Sequence, residues 1–389
     1  MKIGHYAPNI WAPGGVASYI RRVSQEQKQL GHEVVYFDLI PPGGIPESVS
    51  NSIIFVKDEA ALFTRAAQES IEILHVHMGL SEMVQSQVPV IRTVHGHSPY
   101  CPSGSRFLEK QGKPCGRTYN TMGCAWNHFS NHCGSMRPAL MLSGFRNTRN
   151  EMRMLRTIPA ITVSQFLKDQ MLRAGYREDL IHVLHLAVPE VKAIKPPPSE
   201  GIPHFVFLGR ITPLKGVAWL LRAIKEVQTP IHLDIAGEGY GESEVHQLAT
   251  HLGLNDRVTF HGWVSPEKVD ILLAQSRALI FPSLWHEPAG FVSLEAMING
   301  RAVIASSVGG IPEYVINEMN GLLVEPNDVF ALARTIERLA KDWHLAKSLG
   351  EEGYRIATES FSLDNHVQKL MKIYSLYCVA TSEQASPVG

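Results

Sequence analysis

No charge of either sign dominates this chain. Thirty-six Lys and Arg residues stand against 37 Asp and Glu, a net charge of −1 over 389 residues. The global basic field that drives nucleic-acid binding is missing, so no nucleic-acid partner is expected. No run of 18 apolar residues occurs, so no membrane-spanning helix is expected. The opening MKIGHYAPNIWAPGG carries one lysine, and Pro8 and Pro13 interrupt it before an apolar stretch of signal-peptide length. The expectation is a cytoplasmic protein. Cysteine is scarce, five residues in all, which excludes a disulfide-built scaffold. The dinucleotide fingerprint G-x-G-x-x-G is absent. Gly237-Glu238-Gly239-Tyr240-Gly241 follows a strand but has a different spacing, which disfavours a nicotinamide or flavin enzyme.

What is present is an ordinary globular composition, 44% hydrophobic and 19% charged, in a chain long enough for two or three domains. Short β-branched runs such as Ile73–Val76 and Val88–Val94 alternate with helical patterns such as Val16–Leu30 and Gln165–Ala174. That alternation predicts a parallel sheet covered on both faces. The segment PEVKAIKPPPSEGIP holds five prolines and reads as a stiff connector. After it the alternation restarts. The predicted fold is α/β, with two Rossmann-like doubly wound domains facing a central cleft. The expected divisions are a first domain over 1–188, a linker over 189–203, a second domain over 204–358, a terminal helix over 359–378 and a disordered tail over 379–389. Open α/β sheets bind ligands beyond the carboxyl ends of their strands, so the site is expected between the two sheets.

Three groups of residues suit a phosphorylated sugar ligand. Gly14-Gly15 lies between the first strand and the first helix, where glycine lets backbone approach a phosphate at a helix N-terminus. Gly-Gly is equally a tight turn. Arg210 and Lys215, with Gly209 before them, occupy the same strand–loop–helix position in the second domain. Two cations there suit a diphosphate. Glu287 precedes a Pro-Ala-Gly turn and Glu295 lies within the helix that follows. Carboxylates at a cleft mouth accept hydrogen bonds from vicinal hydroxyls, so this pair suits a sugar and a ribose.

Together these features resemble the retaining glycosyltransferases of family 4, which have the GT-B fold. Gly209-Arg210 with Lys215-Gly216 is similar to the family's G-R-x-x-x-x-K-G. Glu287 to Glu295 resembles its E-x7-E motif, and ASSVGGIPE and Asn320-Gly321-Leu322-Leu323-Val324 resemble its following loop and strand. The resemblance implies a nucleotide-diphosphate sugar donor and a hydroxyl-bearing saccharide, lipid-linked or small-molecule acceptor. It implies front-face substitution with retention, needing no catalytic metal, and no D-x-D motif is present. Arg210 and Lys215 would bind the diphosphate, Glu295 the ribose, and Glu287 with the backbone of Ala289, Gly290 and Phe291 the donor sugar. Gly14 and Gly15 would approach the phosphate and acceptor. The base would rest near Gly239 and Val264. His95 would meet the donor sugar near its anomeric carbon, with His97 as its rival, and the terminal helix would cross back to the first domain. Where the family often carries N-G-V-D, this chain has His185-Leu186-Ala187-Val188. A GT-B phosphorylase or epimerase fits the motifs less well, and a catalytically silent sugar-nucleotide binder or scaffold is the alternative.

Cys101, Cys115, Cys124 and Cys133 fall within 33 residues, in an insertion at about 97–135 that would act as an acceptor-side lid. No C-x-x-C pair is present, so structural zinc, disulfides and reduced thiols all stay open. The stretch Arg137–Arg156 interleaves arginines with Leu140, Met141, Leu142 and Phe145. It reads either as a helix packed on the core or as a peripheral contact with anionic membrane.

Overall fold

The computed structural model describes residues 1–11, 14–40, 53–80, 86–188 and 193–378. The beginning of the expected linker, 189–192, and the expected tail, 379–389, lie outside the described residues. In chain order the first domain carries β1 (Lys2–Tyr6), α1 (Gly15–Gln29), β2 (Glu33–Leu39), β3 (Ile53–Val56), α2 (Glu59–Gln68), β4 (Ile73–Val76) and β5 (Val90–Val94). It continues with β6 (Phe107–Leu108), β7 (Lys113–Pro114), α3 (Thr121–Asn131), α4 (Pro138–Met154), β8 (Ala160–Thr162), α5 (Gln165–Arg173) and β9 (Ile181–Val183). The large sheet runs β3-β2-β1-β4-β5-β8-β9, with parallel pairing throughout. Residues of β4 and β5 are buried without interruption, as in a sheet covered on both faces.

The second domain holds β10 (His204–Leu208), α6 (Val217–Glu226), β11 (His232–Ala236), α7 (Glu242–His251), β12 (Val258–Gly262), α8 (Pro266–Gln275) and β13 (Ala278–Phe281). Then come α9 (Phe291–Ile298), β14 (Ala302–Ser306), β15 (Gly321–Val324), α10 (Val329–Lys341), α11 (Trp343–Ser360) and α12 (Leu363–Cys378). Its sheet runs β12-β11-β10-β13-β14-β15, again parallel. Both sheets reverse strand order beside their first strand, at β1/β4 and at β10/β13. Those are the two points where such sheets open a crevice.

Helix α12 packs on the first domain. It buries Val367, Leu370 and Tyr374 against Ile3, Ile20, Ile73 and Ile91. Each such aliphatic side chain contributes roughly 1.5–3 kcal/mol. His75 Nδ1 bonds the Tyr374 hydroxyl at 2.5 Å, and Tyr19 bonds His366 at 2.9 Å. The two domains also clasp directly. Glu313 of the second domain accepts the Gln165 and Phe166 backbone N–H groups at 2.7 Å each, and meets His185 at 2.8 Å. Leu186 N–H donates to the Tyr314 hydroxyl at 3.0 Å, and that hydroxyl donates to the Val163 carbonyl at 2.7 Å. So the His185–Val188 stretch makes its interdomain contacts despite departing from N-G-V-D.

The insertion is more regular than its pattern suggested. It contains the β6–β7 hairpin and α3, whose Asn120 cap accepts the Gly123 N–H at 2.6 Å. Met122, Trp126 and Phe129 of α3 recur at helical spacing, but this stripe is exposed and marks no buried face.

Candidate functional site

The loops leaving β10 and β13 flank the second sheet's crevice, and they are pressed together. A Cβ at Gly216 would stand 1.9 Å from the Pro282 carbonyl oxygen, and Gly216 has φ +70, so glycine is required there. The Leu284 N–H donates to the Leu214 carbonyl at 2.8 Å. This contact brings Lys215 Nζ to 2.6 Å from Glu287 Oε1. Ser283 Oγ donates to the same carboxylate oxygen at 2.7 Å. Lys215 also lies over the rings of Trp285, at 5.3 Å, and Phe281, at 5.6 Å. Glu287, in the β13 loop, is buried, and Arg210, in the β10 loop with Lys215, is exposed. The Gly309–Gly310 loop packs onto the Glu287–Pro288 backbone, where a Cβ at Gly309 would sit 2.4 Å from the Glu287 carbonyl oxygen.

A cleft of about 460 Å³ is lined from both domains. Gly15, Tyr19 and Arg22 come from α1, His95 from the end of β5, and Phe291 and Glu295 from α9. Helices α1 and α9 both begin on glycine caps, Gly14 and Gly290, with no side chain bonded to their first N–H groups. Helix α5, by contrast, is capped by Ser164 and α10 by Asp328. Uncapped N-termini at a cleft favour an anion. Burial pushes the Glu295 carboxyl up to about 7, against the opposing pull of Arg22. Arg22 itself lies over the Phe291 ring at 5.3 Å, so a first-domain cation faces the second-domain helix.

His95 ends a row of buried imidazoles. Gln27 Oε1 takes a bond from His5 Nε2 at 2.9 Å, so His5 Nδ1 accepts from His77 Nε2 at 3.0 Å. His77 Nδ1 then accepts from His95 Nε2 at 3.4 Å. The row sets the His95 tautomer and leaves Nδ1 as its acceptor. Burial pulls His5 down to about 4 and His95 down to about 3, so both are neutral at pH 7. Among the described residues, His5, His75 and His77 form one of two groups compact enough for a metal. Both nitrogens of His5 and of His75 are already hydrogen-bonded, to His77 and Gln27 and to Tyr374 and Thr93.

Residues 190–356 match the family described as Glycosyl transferases group 1, and residues 13–191 match Glycosyltransferase Family 4. The chain belongs to glycosyltransferase family 4. It is 30% identical over 243 residues to alpha-maltose-1-phosphate synthase of Mycolicibacterium smegmatis, 55% of this chain and 62% of that protein. An uncharacterized glycosyltransferase of Methanocaldococcus jannaschii is 31% identical over 173 residues, 44% of each. The chain thus spans about half the length of these curated relatives. Among solved structures, sucrose-phosphate synthase from Thermosynechococcus elongatus superposes with a TM-score of 0.75 at 20% identity, over 97% of this chain and 99% of that one. HepE of Anabaena, solved with UDP and glucose, does so at 0.67 and 18%, over 97% and 100%. The fold of this family 4 chain is accordingly GT-B.

Of the residues singled out in this glycosyltransferase's sequence, Gly15, His95, Phe291 and Glu295 line the cleft. Lys215 and Glu287 meet each other. Gly239 is pressed against the Ile211 carbonyl oxygen, 2.1 Å from a Cβ there, and Val264 packs half-buried on the core. Ala289 is buried in the turn before α9. His97 does not line the cleft. It is buried, donates to the His286 carbonyl from Nε2 at 2.7 Å and accepts from the Tyr100 hydroxyl at 2.6 Å. It clasps the domains, whereas His95 lines the cleft. Sequence reasoning missed Tyr19, Arg22 and His77. Arg22 and Tyr19 sit on one face of α1 beyond the Gly-Gly turn, and the H-x-H spacing of His75 and His77 repeats in His95 and His97. That repeat was the available signal. The four insertion cysteines are free thiols lining one small cavity. Burial pushes Cys133 up to about 11, and the other three thiols push the same way.

Proposed function

We propose that this chain transfers a sugar, with retention, from a nucleotide-diphosphate sugar to an acceptor hydroxyl. The observation that carries the reading is the cleft lined by the first residues of α1 and α9 and by His95, with the Lys215–Glu287 pair in the loops that leave β10 and lead into α9. The Lys215 ammonium has three donors, so it can hold Glu287 and still take a diphosphate oxygen. With Arg210 it stabilises the charge that grows on the departing diphosphate, and electrostatic stabilisation of that kind usually lowers the barrier more than any other effect. Glu287 accepts a hydroxyl of the donor sugar, and Glu295 accepts the ribose. Neutral His95 offers Nδ1 as an acceptor beside the reacting carbon. The leaving phosphate oxygen takes the acceptor proton, so no catalytic metal and no enzyme nucleophile are required. The complexes of HepE with UDP and with UDP-glucose support a nucleotide-sugar donor. Thermal-shift titration with UDP, GDP and ADP and their sugars, with and without EDTA, tests this. One nucleotide raising the midpoint, undisturbed by EDTA, is expected. No shift with any of them would overturn it.

The acceptor side favours an anionic lipid surface. No described helix is long and apolar enough to cross a membrane. The first half of α4 projects, exposing Leu140 at 53% and Leu142 at 65%. Arg146, Arg149 and Arg153 line a groove of about 530 Å³ beside Met141 and Phe145. On α3, Trp126 is 71% exposed. Apolar tips with arginines behind them suit a headgroup boundary, and through it a lipid-linked acceptor. From its middle onward α4 is anchored, by Gly144 packed on the Pro102 carbonyl, by Thr148 Oγ1 donating to the Ser98 carbonyl at 2.9 Å and by the buried Arg92–Glu151 pair at 2.8 Å. Cosedimentation with phosphatidylglycerol vesicles, lost at high salt and in Arg146→Glu/Arg149→Glu, is expected. No binding at low salt would remove the lipid surface while leaving the transferase reading standing.

A further inference from the structure

Between Gly96 and Arg137 the first domain carries a lobe that its sheet does not need. A lobe of this size must be held together, and its apolar core is thin. Tyr100, Phe107 and Leu108 are buried, while Met122, Trp126, Phe129 and Met136 are exposed. Units of about 40 residues rarely fold on such a core without a disulfide or a metal.

The four cysteines sit where a cross-link would act. They come from four separate turns. Cys101 follows the β5 strand end, Cys115 closes the β6–β7 hairpin, Cys124 lies in the first turn of α3, and Cys133 follows the end of α3. His132, with φ +50, ends that helix in the left-handed region and turns the chain back. All four residues line the same cavity of about 30 Å³. Two disulfides would need two touching pairs. Four thiols around one shared space suit one shared ligand.

Charge points the same way. Arg106 and Arg117 line that cavity with the cysteines. Four thiolates on a divalent ion leave two net negative charges, which two guanidinium groups balance. The sulfurs make only neutral contacts, Cys101 Sγ with Ser103 Oγ at 3.2 Å, Cys115 Sγ with Asn127 Nδ2 at 3.9 Å and Cys133 Sγ with His128 Nδ1 at 4.0 Å, and further bonds hold the turns. Arg106 Nε donates to the Cys115 carbonyl at 3.0 Å, and Ser105 Oγ donates to the Cys133 carbonyl at 2.7 Å. The sulfurs are spread around the cavity. Among the described residues, the groups whose ligand atoms all lie within 4.8 Å are histidine-based. Binding therefore draws the four turns inward.

We propose that Cys101, Cys115, Cys124 and Cys133 hold a thiophilic metal ion, with zinc as the ion these four thiolates suit best. Binding releases the four thiol protons to solvent and oxidises nothing. The centre is structural and stands apart from the donor chemistry. It fixes the lobe against the second domain, where the Trp285 indole N–H donates to the Ser105 carbonyl and Tyr240 meets Glu109 at 3.4 Å. Trp285 is the ring beneath Lys215. The metal therefore shapes the mouth of the proposed donor site, yet its presence can be read without any activity.

The test begins with the full chain purified anaerobically. Its metal content is measured by mass spectrometry, and its thiols are titrated with p-hydroxymercuribenzoate while a chromophoric chelator reports released zinc. Stoichiometric zinc, released as the four thiols react, is expected. Cys115→Ser and Cys124→Ser should lose the metal, whereas Cys378→Ser should keep it. Loss of metal should open 97–137 to proteolysis. One iron per chain with visible absorption would keep the tetrathiolate centre and replace zinc by a mononuclear iron. Metal below stoichiometry, with no charge-transfer band on adding Co²⁺ to the reduced chain, would overturn the proposal. So would two disulfides in the native mass.

Discussion

On the second-domain side of the cleft, Lys215 and Glu287 meet because two loops leave neighbouring strands and glycine lets their backbones touch. On the first-domain side, His95 is held through His77 and His5 by Gln27, one residue each from β5, the end of β4, β1 and α1. The first arrangement is short in sequence within each loop and is spelled by motif. The second is a row of neutral, desolvated groups that exists only once four elements have packed. A charged pair at a crevice can act on a phosphate directly. A neutral row can orient an imidazole but adds no charge.

That contrast can be broken most forcefully at Lys215. Lys215→Ala should lower kcat for transfer or donor hydrolysis on the order of 10²–10³-fold, as loss of one stabilising donor does elsewhere. A silent sugar-nucleotide binder would have no turnover to lose. Adding Glu287→Gln to Lys215→Met should restore thermal stability without restoring turnover, because it removes the buried unpaired carboxylate. Recovery of activity in that double variant would show that the pair is structural.

The two histidines of V-H-G-H separate next. His97→Ala removes the donor to the His286 carbonyl and one partner of the Tyr100 hydroxyl, and should cost about 1–3 kcal/mol of stability by denaturant titration. His95→Ala should cost less stability and lower kcat on the order of tenfold, the worth of about one hydrogen bond. Equal stability losses with unchanged kcat would end the distinction between them.

Glu295 sharpens the comparison through pH. Its carboxyl sits near 7 in the free chain, so donor binding should strengthen as pH rises through about 7 and the carboxylate forms. Glu295→Gln should flatten that profile in a titration of nucleotide binding. A profile unchanged by the variant would remove Glu295 from the ribose.

The smallest effect lies in the acid stability of the histidines. His5, His97, His286 and His366 fall from an ordinary value of 6.5 to about 4, 3, 4 and 4. The unfolded chain takes up protons on these rings below 6.5, whereas the folded chain resists until its own lower values. Stability is therefore present above 6.5 and lost as pH falls toward 4. Glu295 works the other way, since the folded chain keeps its proton up to about 7. The melting temperature should decline on acidification through that window, and less steeply in His5→Asn/His77→Asn. A melting temperature flat from pH 7 to 5 would mean that the imidazoles are solvated.

Much of the fold was legible because its signals are local. Buried β-branched runs, helix stops such as Gly31 with φ +83, and the Ser164 and Asp328 caps each act within a few residues. Helix α3 was missed although Met122, Trp126 and Phe129 recur at helical spacing, because that short stripe stands in a Gly-, Asn- and Ser-rich stretch and faces solvent.

By itself the sequence determined the two parallel α/β domains, the glycines that let the β10 and β13 loops touch, and the residue types at the crevice. Those follow from backbone sterics and from hydrophobic period, which act between neighbours in the chain. Tertiary structure alone decided which histidine faces the cleft, that Arg22 stands opposite Glu295, and that four cysteines from four turns share one cavity. Those depend on desolvation and on contacts between residues far apart in sequence, and no local pattern encodes either.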